Sequence, residues 1–348
     1  MKNHKNPFKP DTPTNFFSDW LQRQWYEPKP PIGMIPLSVL FQGAVALRRL
    51  AYAKEWKKVE RLPVPVIVVG NLTVGGTGKT PLTIWLVEFL TQFGYRPGVV
   101  SRGYGGAKLD KPLAVHADSD PSDAGDEPVL IARRTGCPVT VFPRRAEAGR
   151  ALLAETACDI LIADDGLQHY GLARDVEIAV VDGERRFGNG QCLPAGPLRE
   201  PVERLNGVDL VVCRGAAREN EFPLTLSLGD AVNMSDASLF SPLDHFVGIQ
   251  PLYAIAGIGR PGRFFADLRQ AGLSFEERAF PDHYRFTPED LKFGDHATVL
   301  MTEKDAVKCR SFANERFWTV PLRGHLPAAF GEKLIRLLKV GLDGQKTA

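Results

Sequence analysis

Residues 73–80 read Thr73, Val74, Gly75, Gly76, Thr77, Gly78, Lys79 and Thr80, directly after the apolar run 64–70. Glycine lets a backbone turn tightly and present its N–H groups to a phosphate, Lys79 reaches β and γ oxygens, and the Thr80 hydroxyl can ligand Mg²⁺. Residues 82–90 have helical length and apolar spacing, so a helix N-terminus adds its positive dipole end to the same anion site. The general pattern begins with Gly where this chain has Thr73, but strand, loop and helix follow in the required order. A glycine-rich turn that binds nothing has no use for a lysine in its middle. The chemistry indicated is nucleotide phosphate binding.

Four further groups carry chemistry. Asp164 and Asp165, followed by Gly166, Gln168 and His169, end the apolar run 159–163, where a phosphoryl-transfer enzyme holds its Mg²⁺. Asp126 and Glu127 open a helical segment, either as ordinary first-turn acids or as a carboxylate that takes a hydroxyl proton or binds Mg²⁺. Asp282 and His283 form a turn, or else an acid–histidine pair that completes a site when a second domain closes on the first. Ser101-Arg-Gly-Tyr-Gly-Gly106 ends another strand and should rim the same cleft. There Arg102 can grip an anionic group and Tyr104 can pack on a ring.

The elements that position these residues alternate. Strand-like runs occur at 97–101, 139–142, 159–163, 176–181 and 208–213, with helical segments such as 127–135 and 144–156 between them. This predicts an α/β fold: a parallel sheet covered by helices, with ligands at the carboxyl ends of its strands. Order weakens over 221–250, the expected linker, with a small β-ribbon as one form it can take. A second βα series at 252–257, 261 onward, 297–301 and 328–340 predicts a smaller second α/β domain over 251–348, after a first over 62–220. Gly257-Ile-Gly-Arg-Pro-Gly262 reads as a tight turn that starts a helix, because its third glycine is misplaced for a dinucleotide loop.

The chain has 348 residues, a length that suits two modest cores, and a net charge of +2 that argues against a bulk nucleic-acid binder. Five cysteines, at 137, 158, 192, 213 and 309, contain no C-x-x-C pair, the reduced pattern of a cytosol-facing protein. No protein partner is evident. Residues 1–31 are polar and proline-rich, and no element is assigned to them. Next comes an apolar stretch, 32–47, short of the ~20 residues that span a bilayer and interrupted by Ser38, Gln42 and Gly43. On a helix Leu37, Leu40, Phe41, Ala44 and Leu47 share a face. Arg48, Arg49, Lys54, Lys57, Lys58 and Arg61 follow, interleaved with Tyr52 and Trp56. Residues 32–61 therefore read as an amphipathic helix lying on an anionic cytoplasmic leaflet, or as a helix packed on its own domain.

Taken together, residues 70–80, 101–104, 125–128, 164–169, 280–283 and 302–305 closely resemble the tetraacyldisaccharide 4'-kinase family of lipid A biosynthesis. The resemblance covers about residues 33–340, and the family shares the departure at Thr73. It implies ATP-dependent phosphorylation of the 4'-hydroxyl of a tetraacylated glucosamine disaccharide 1-phosphate, giving lipid IVA. It also implies a Mg²⁺-dependent, inner-membrane P-loop enzyme of two α/β domains with a β-ribbon hinge. Carried over, Lys79 and Thr80 match the nucleotide and Mg²⁺ residues, Asp126 the general base and His283 its partner. Glu127, Asp164 and Asp165 match acidic positions around Mg²⁺ and its waters. Gln168, His169, Asn71 and Tyr104 match supporting or contact positions, and the Thr302–Asp305 motif carries no assigned role. The competing reading is a membrane-associated P-loop ATPase with no lipid acceptor. Such enzymes place a signature lysine just before the paired glycines, where this chain has Val74, and no guanine-specifying Asn-Lys-x-Asp occurs.

Overall fold

The computed structural model describes residues 16–346 apart from residue 295, so residues 1–15 of the polar N-terminus lie outside the described residues. Two helices come first, α1 (Phe16–Gln24) and α2 (Ile35–Ala53). The local pattern of residues 16–31 predicts no element, yet the chain after α1 is docked. The Trp25 indole donates to the Pro194 carbonyl at 2.9 Å, and the Asn189 amide donates to the Trp25 carbonyl at 2.8 Å. These partners lie far along the chain, which is why a local reading misses them.

The chain then alternates: β1 (Val66–Gly70), α3 (Lys79–Gln92), β2 (Pro97–Ser101), β3 (Leu113–Val115), α4 (Pro121–Ala124), α5 (Asp126–Thr135), β4 (Val139–Val141), α6 (Arg145–Glu155), β5 (Ile160–Ala163) and β6 (Val176–Asp182). β7 (Leu210–Arg214) and β8 (Phe222–Leu228) complete this run. A second run holds β9 (Ala231–Asn233), β10 (Phe240–Ser241), β11 (Leu252–Ala256), α7 (Pro261–Gln270), β12 (Glu276–Ala279), β13 (Thr298–Thr302), α8 (Glu303–Cys309) and β14 (Phe317–Val320). β15 (Leu322–His325) and α9 (Ala328–Lys346) end the described chain.

β1 is buried along its whole length because its β-branched run lies between parallel neighbours, β5 on one side and β6 on the other. The nine-stranded sheet has the order β15-β8-β7-β6-β1-β5-β2-β4-β3. Val68 pairs with Ala163, the last residue of β5, so β1 runs two residues further and its end at Gly70 lies alongside the Asp164–Gly166 turn. Leu82, Leu86 and Leu90 of α3 and Ile131 of α5 cover one face. Leu62, Phe142 and Leu152 cover the other, so the sheet is sandwiched as the continuous apolar strands require. Gly70 is needed for this closeness: a Cβ there would lie 2.8 Å from the Leu167 Cγ.

The second sheet has six strands in the order β10-β9-β14-β13-β11-β12. Strand pairing divides the chain differently from the expected ranges. Residues 221–250 do contain a crossing between the units, but as strands of both sheets: β8 joins the first sheet and β9 and β10 the second, with β8 and β9 paired antiparallel to β15 and β14. Residues 322–346, expected in the second domain, return to the first. There β15 pairs antiparallel with β8, and Phe330, Leu334 and Leu338 of α9 sink into the core beside α3. That helix buries an i, i+4, i+8 stripe, which is the physical reason it docks back. The two units are thus joined by two neighbouring crossings, β8 to β9 and β14 to β15. The turn at 257–262 does start a helix, α7, and the Asp305 carboxylate accepts the Gly257 N–H at 2.8 Å.

Candidate active site

The phosphate loop leaves β1 at Gly70 and enters α3 at Lys79. Gly75 and Gly78 both sit at φ +100°, the left-handed region where glycine is needed to turn the chain onto the helix N-terminus. Asn71 is buried and braces the loop: its Nδ2 donates to the Gly75 carbonyl at 3.3 Å, and its Oδ1 accepts from Lys79 Nζ at 3.3 Å. Thr73 and Thr77 are buried, Val74 is half-buried, and Gly75 and Gly76 are exposed. The buried Thr77 hydroxyl makes no hydrogen bond among the described residues, the kind of donor a phosphate oxygen satisfies. Lys79 and Thr80 form the first turn of α3.

Beside this loop, the end of β5 supplies two carboxylates with opposite circumstances. Asp164 is buried and accepts from the Thr83 hydroxyl at 3.0 Å. Burial, then the charges of Glu127 and Asp165, push its carboxyl up to about 7. Such a group is short of positive charge. Asp165 has φ +48° and accepts from Arg199 Nη1 at 3.0 and 3.1 Å, with Lys79 Nζ at 3.6 Å. Burial raises its pKa, but Lys79 and Arg199 outweigh that and hold it below the ordinary value. Asp165, expected near the metal, is engaged by two cations here. Nothing near residue 199 in the sequence marks Arg199 as a partner of a motif 34 residues upstream.

Gln168 and His169 turn out to support the loops. Gln168 Nε2 donates to the Asn71 carbonyl at 3.1 Å and to Glu200 at 3.0 Å, tying the β5 loop to the phosphate loop. His169 Nε2 accepts the Arg145 N–H at 3.4 Å. Burial, then Arg145 and Arg174, pull its pKa down to about 4, so the ring is neutral at pH 7. Arg145 is itself buried and donates to the Asp164 carbonyl at 3.3 Å.

The second domain completes the site from across the cleft. Asp126 opens α5 and is buried, and His283 Nδ1 lies 3.0 Å from its Oδ2. His283 sits at φ +58°, a backbone state costing about 1–3 kcal/mol for a non-glycine residue and held only where surroundings over-determine it. The Asp126 hydrogen bond raises the His283 pKa against the opposing effect of burial. Burial raises that of Asp126, but the His283 hydrogen bond and the Lys304 charge outweigh it and keep the carboxyl below its ordinary range. Gly125, at φ +89°, permits the approach: a Cβ would lie 2.6 Å from the Tyr104 carbonyl. The exposed Tyr104 ring meets the His283 ring edge-on at 5.4 Å, and Arg102 is exposed on the same rim.

The Thr302–Asp305 motif, left without a role by the sequence, is part of this assembly. Lys304 Nζ lies 3.3 Å from Glu127 and from Asp282, and 3.9 Å from Asp126. Burial pulls its pKa down, while Glu127, Asp126 and Asp282 push it well above the ordinary lysine value. Glu303 pairs with Arg134 at 2.6 Å. Asp305 accepts from the Thr302 hydroxyl at 2.6 Å and from the Gly257 N–H.

The donor set suits Mg²⁺: a hydroxyl at Thr80 and the charge-starved carboxylate Asp164, with Glu127 in its field. Among the described residues no three His, Cys, Asp or Glu side chains converge on one ion position. A hard cation held through one or two carboxylates and nucleotide phosphates needs no such cage.

Comparison with known proteins agrees with this architecture. The family model for tetraacyldisaccharide-1-P 4'-kinase, LpxK, matches residues 32–339. The tetraacyldisaccharide 4'-kinase of Nitrosococcus oceani is 53% identical over 324 residues, covering 93% of this chain and 95% of the relative. That of Stenotrophomonas maltophilia is 52% identical over 317 residues, covering 88% and 93%. The crystal structure of LpxK from Aquifex aeolicus in complex with ATP aligns with a TM-score of 0.76 at 28% identity, covering 88% of this chain and 98% of that one. The chain belongs to the tetraacyldisaccharide 4'-kinase family.

Proposed function

We propose that this chain transfers the γ-phosphoryl group of ATP to the 4'-hydroxyl of a tetraacylated glucosamine disaccharide 1-phosphate, forming lipid IVA at the cytoplasmic face of an inner membrane. The observation that carries the reading is the contact of Asp126 with His283, 3.0 Å apart and drawn from two domains beside a phosphate loop. Phosphoryl transfer passes through a loose transition state, so positioning and charge neutralisation dominate. Lys79 and the loop N–H groups take charge on the β and γ oxygens. Thr80, Asp164 and Glu127 would hold Mg²⁺, which when bound neutralises those oxygens further. The sugar oxygen bonds to γ-phosphorus as the bond to the ADP oxygen breaks, and Asp126, oriented by His283, accepts the hydroxyl proton. Arg199 takes Asp165 at 3.0 Å against 3.6 Å for Lys79, and so weakens the hold of Asp165 on Lys79.

Helix α2 supports the membrane half of the reading. Its polar side faces the protein: the buried Ser38 hydroxyl donates to the Cys192 carbonyl at 2.8 Å, and Gln42 donates to Ser38 at 3.4 Å. Phe41, expected with the outward leucines, packs instead with Leu72, Cys192 and Leu198. Leu37, Leu40, Ala44 and Leu47 are exposed, with Arg48 and Arg49 just beyond. By length and composition Ile32–Ala53 is sufficient to cross a membrane. Its polar anchorage to the body favours lying in one leaflet, leucines toward the acyl chains and the arginines toward anionic headgroups.

The test is labelled ATP with the lipid acceptor. Label on lipid is the expected result, and label appearing only as inorganic phosphate overturns the reading in favour of an ATPase. Asp126→Ala and His283→Ala should each lower kcat by about 10²–10⁴-fold while nucleotide binding survives. Their effects should not multiply in the double variant, because the pair acts as a unit.

A further inference from the structure

We infer that Lys304 is a positioning residue of the transfer site, tying the carboxylates that open α5 to the loop that carries His283, so that approach of the two domains and assembly of the Asp126–His283 pair are one event. This rests on the kinase reading above. Lys304 is the residue of the second domain that reaches Asp126 and Glu127 of the first while also touching Asp282, the chain neighbour of His283. One ammonium therefore fixes both sides of the 3.0 Å contact between Asp126 and His283.

Its own backbone is held rigidly. The Thr302 hydroxyl caps the first turn of α8 by accepting the Asp305 N–H at 3.2 Å, and it donates to the Asp305 carboxylate. Asp305 also accepts from Gly257 and pairs with Lys308 at 2.8 Å. Glu303 grips Arg134 near the other end of α5 and accepts the Leu322 N–H at 3.0 Å. Adjacent residues 303 and 304 thus hold the two ends of one helix. The Lys304 side chain is 18% exposed, so it is neither a solvated surface charge nor free to choose other partners. An uncharged side chain of similar length would leave Glu127 without this cation and Asp282 with only its chain neighbour His283, so the two carboxylates would be free to part. The first domain carries the phosphate loop by itself, so ATP affinity should not depend on this tie. A misplacement of about 1 Å at the reacting groups costs on the order of 10²-fold in rate.

The experiment uses the full chain with Lys304→Met and Lys304→Arg, measuring kcat with ATP and lipid acceptor, equilibrium binding of a fluorescent ATP analogue, and thermal melting. Lys304→Met should lower kcat about 10- to 100-fold and shift nucleotide Kd by less than about threefold. Lys304→Arg should recover most of the rate, because a second cation can bridge the same carboxylates. Combining Lys304→Met with Asp282→Asn should cost little more than the first change alone. Wild-type kcat in Lys304→Met overturns the inference, as does a loss confined to nucleotide Kd. If Lys304→Met melts early, Lys304→Gln is assayed at a temperature where it is folded. A rate loss there that follows the melting temperature and is not relieved by Lys304→Arg also overturns it. Phosphate transfer to lipid by the unaltered chain controls for the kinase reading. Its absence overturns that reading and the inference together, while an active wild type with an equally active Lys304→Met overturns the inference alone.

Discussion

Changing Leu37, Leu40 and Leu47 to serine removes the outward apolar stripe of α2 without touching the phosphate loop or the Asp126–His283 pair. The side chains are 52%, 70% and 61% exposed, which amounts to roughly two whole leucines offered to a bilayer. Full burial of one leucine is worth about 1.5–3 kcal/mol, so the triple change should weaken membrane partitioning by about 3–5 kcal/mol, or about 10²–10⁴-fold. Flotation with vesicles containing anionic lipid reads this directly, and fluorescent nucleotide binding should be unchanged in the same preparation. Phosphorylation of acceptor dispersed in detergent should survive, while phosphorylation of acceptor embedded in vesicles should fall with the partitioning. Unaltered flotation would refute the reasoning, because it would mean that this face contributes nothing to membrane contact.

Histidine NMR should find His283 titrating above 6.5, and Asp126→Asn should bring it below 6.5, since burial and Lys304 both oppose the charged ring once the carboxylate is gone. The sign follows: the raised His283 pKa makes the pair's stabilisation complete at low pH and lost as pH rises through the folded value, while the depressed Asp126 pKa requires pH above its ordinary 3.8. Arg199→Met removes the competing cation, so Asp165 should hold Lys79 more tightly than its present 3.6 Å contact, and steady-state kinetics should show KM for ATP rising about fivefold, a change near 1 kcal/mol. Gly125→Ala forces a left-handed backbone and a Cβ 2.6 Å from the Tyr104 carbonyl, which should lower the stability measured by urea unfolding by about 2 kcal/mol or more.

Much of the molecule was legible in the sequence because its signals are local. The apolar run at 64–70, the glycines at 75, 76 and 78 and the apolar spacing of 82–90 each follow from the backbone geometry of a strand, a turn or a helix, and they recur in order as β1, the loop and α3. Carboxylates at the ends of strands were recognisable for the same reason. Local patterns set Asp126 and His283 apart only as separate motifs, and it was the family resemblance that paired them.

Tertiary structure decided which of those groups meet and what each one does there. The 157-residue separation between Asp126 and His283 is closed by docking of α8 on α5, and no periodicity records such a contact. Long-range ion pairs likewise changed roles: Arg199 takes Asp165, Lys304 takes Glu127 and Asp282, and Gln168 becomes a strut between two loops. The same holds for α9, whose buried stripe announced an amphipathic helix but could not say that it covers the first sheet instead of the second. Local chemistry named the phosphate loop and its helix, because neighbouring residues carry those dihedral and dipole requirements. The acceptor side of the site was decided only in three dimensions, because charges and apolar faces find partners by proximity in space.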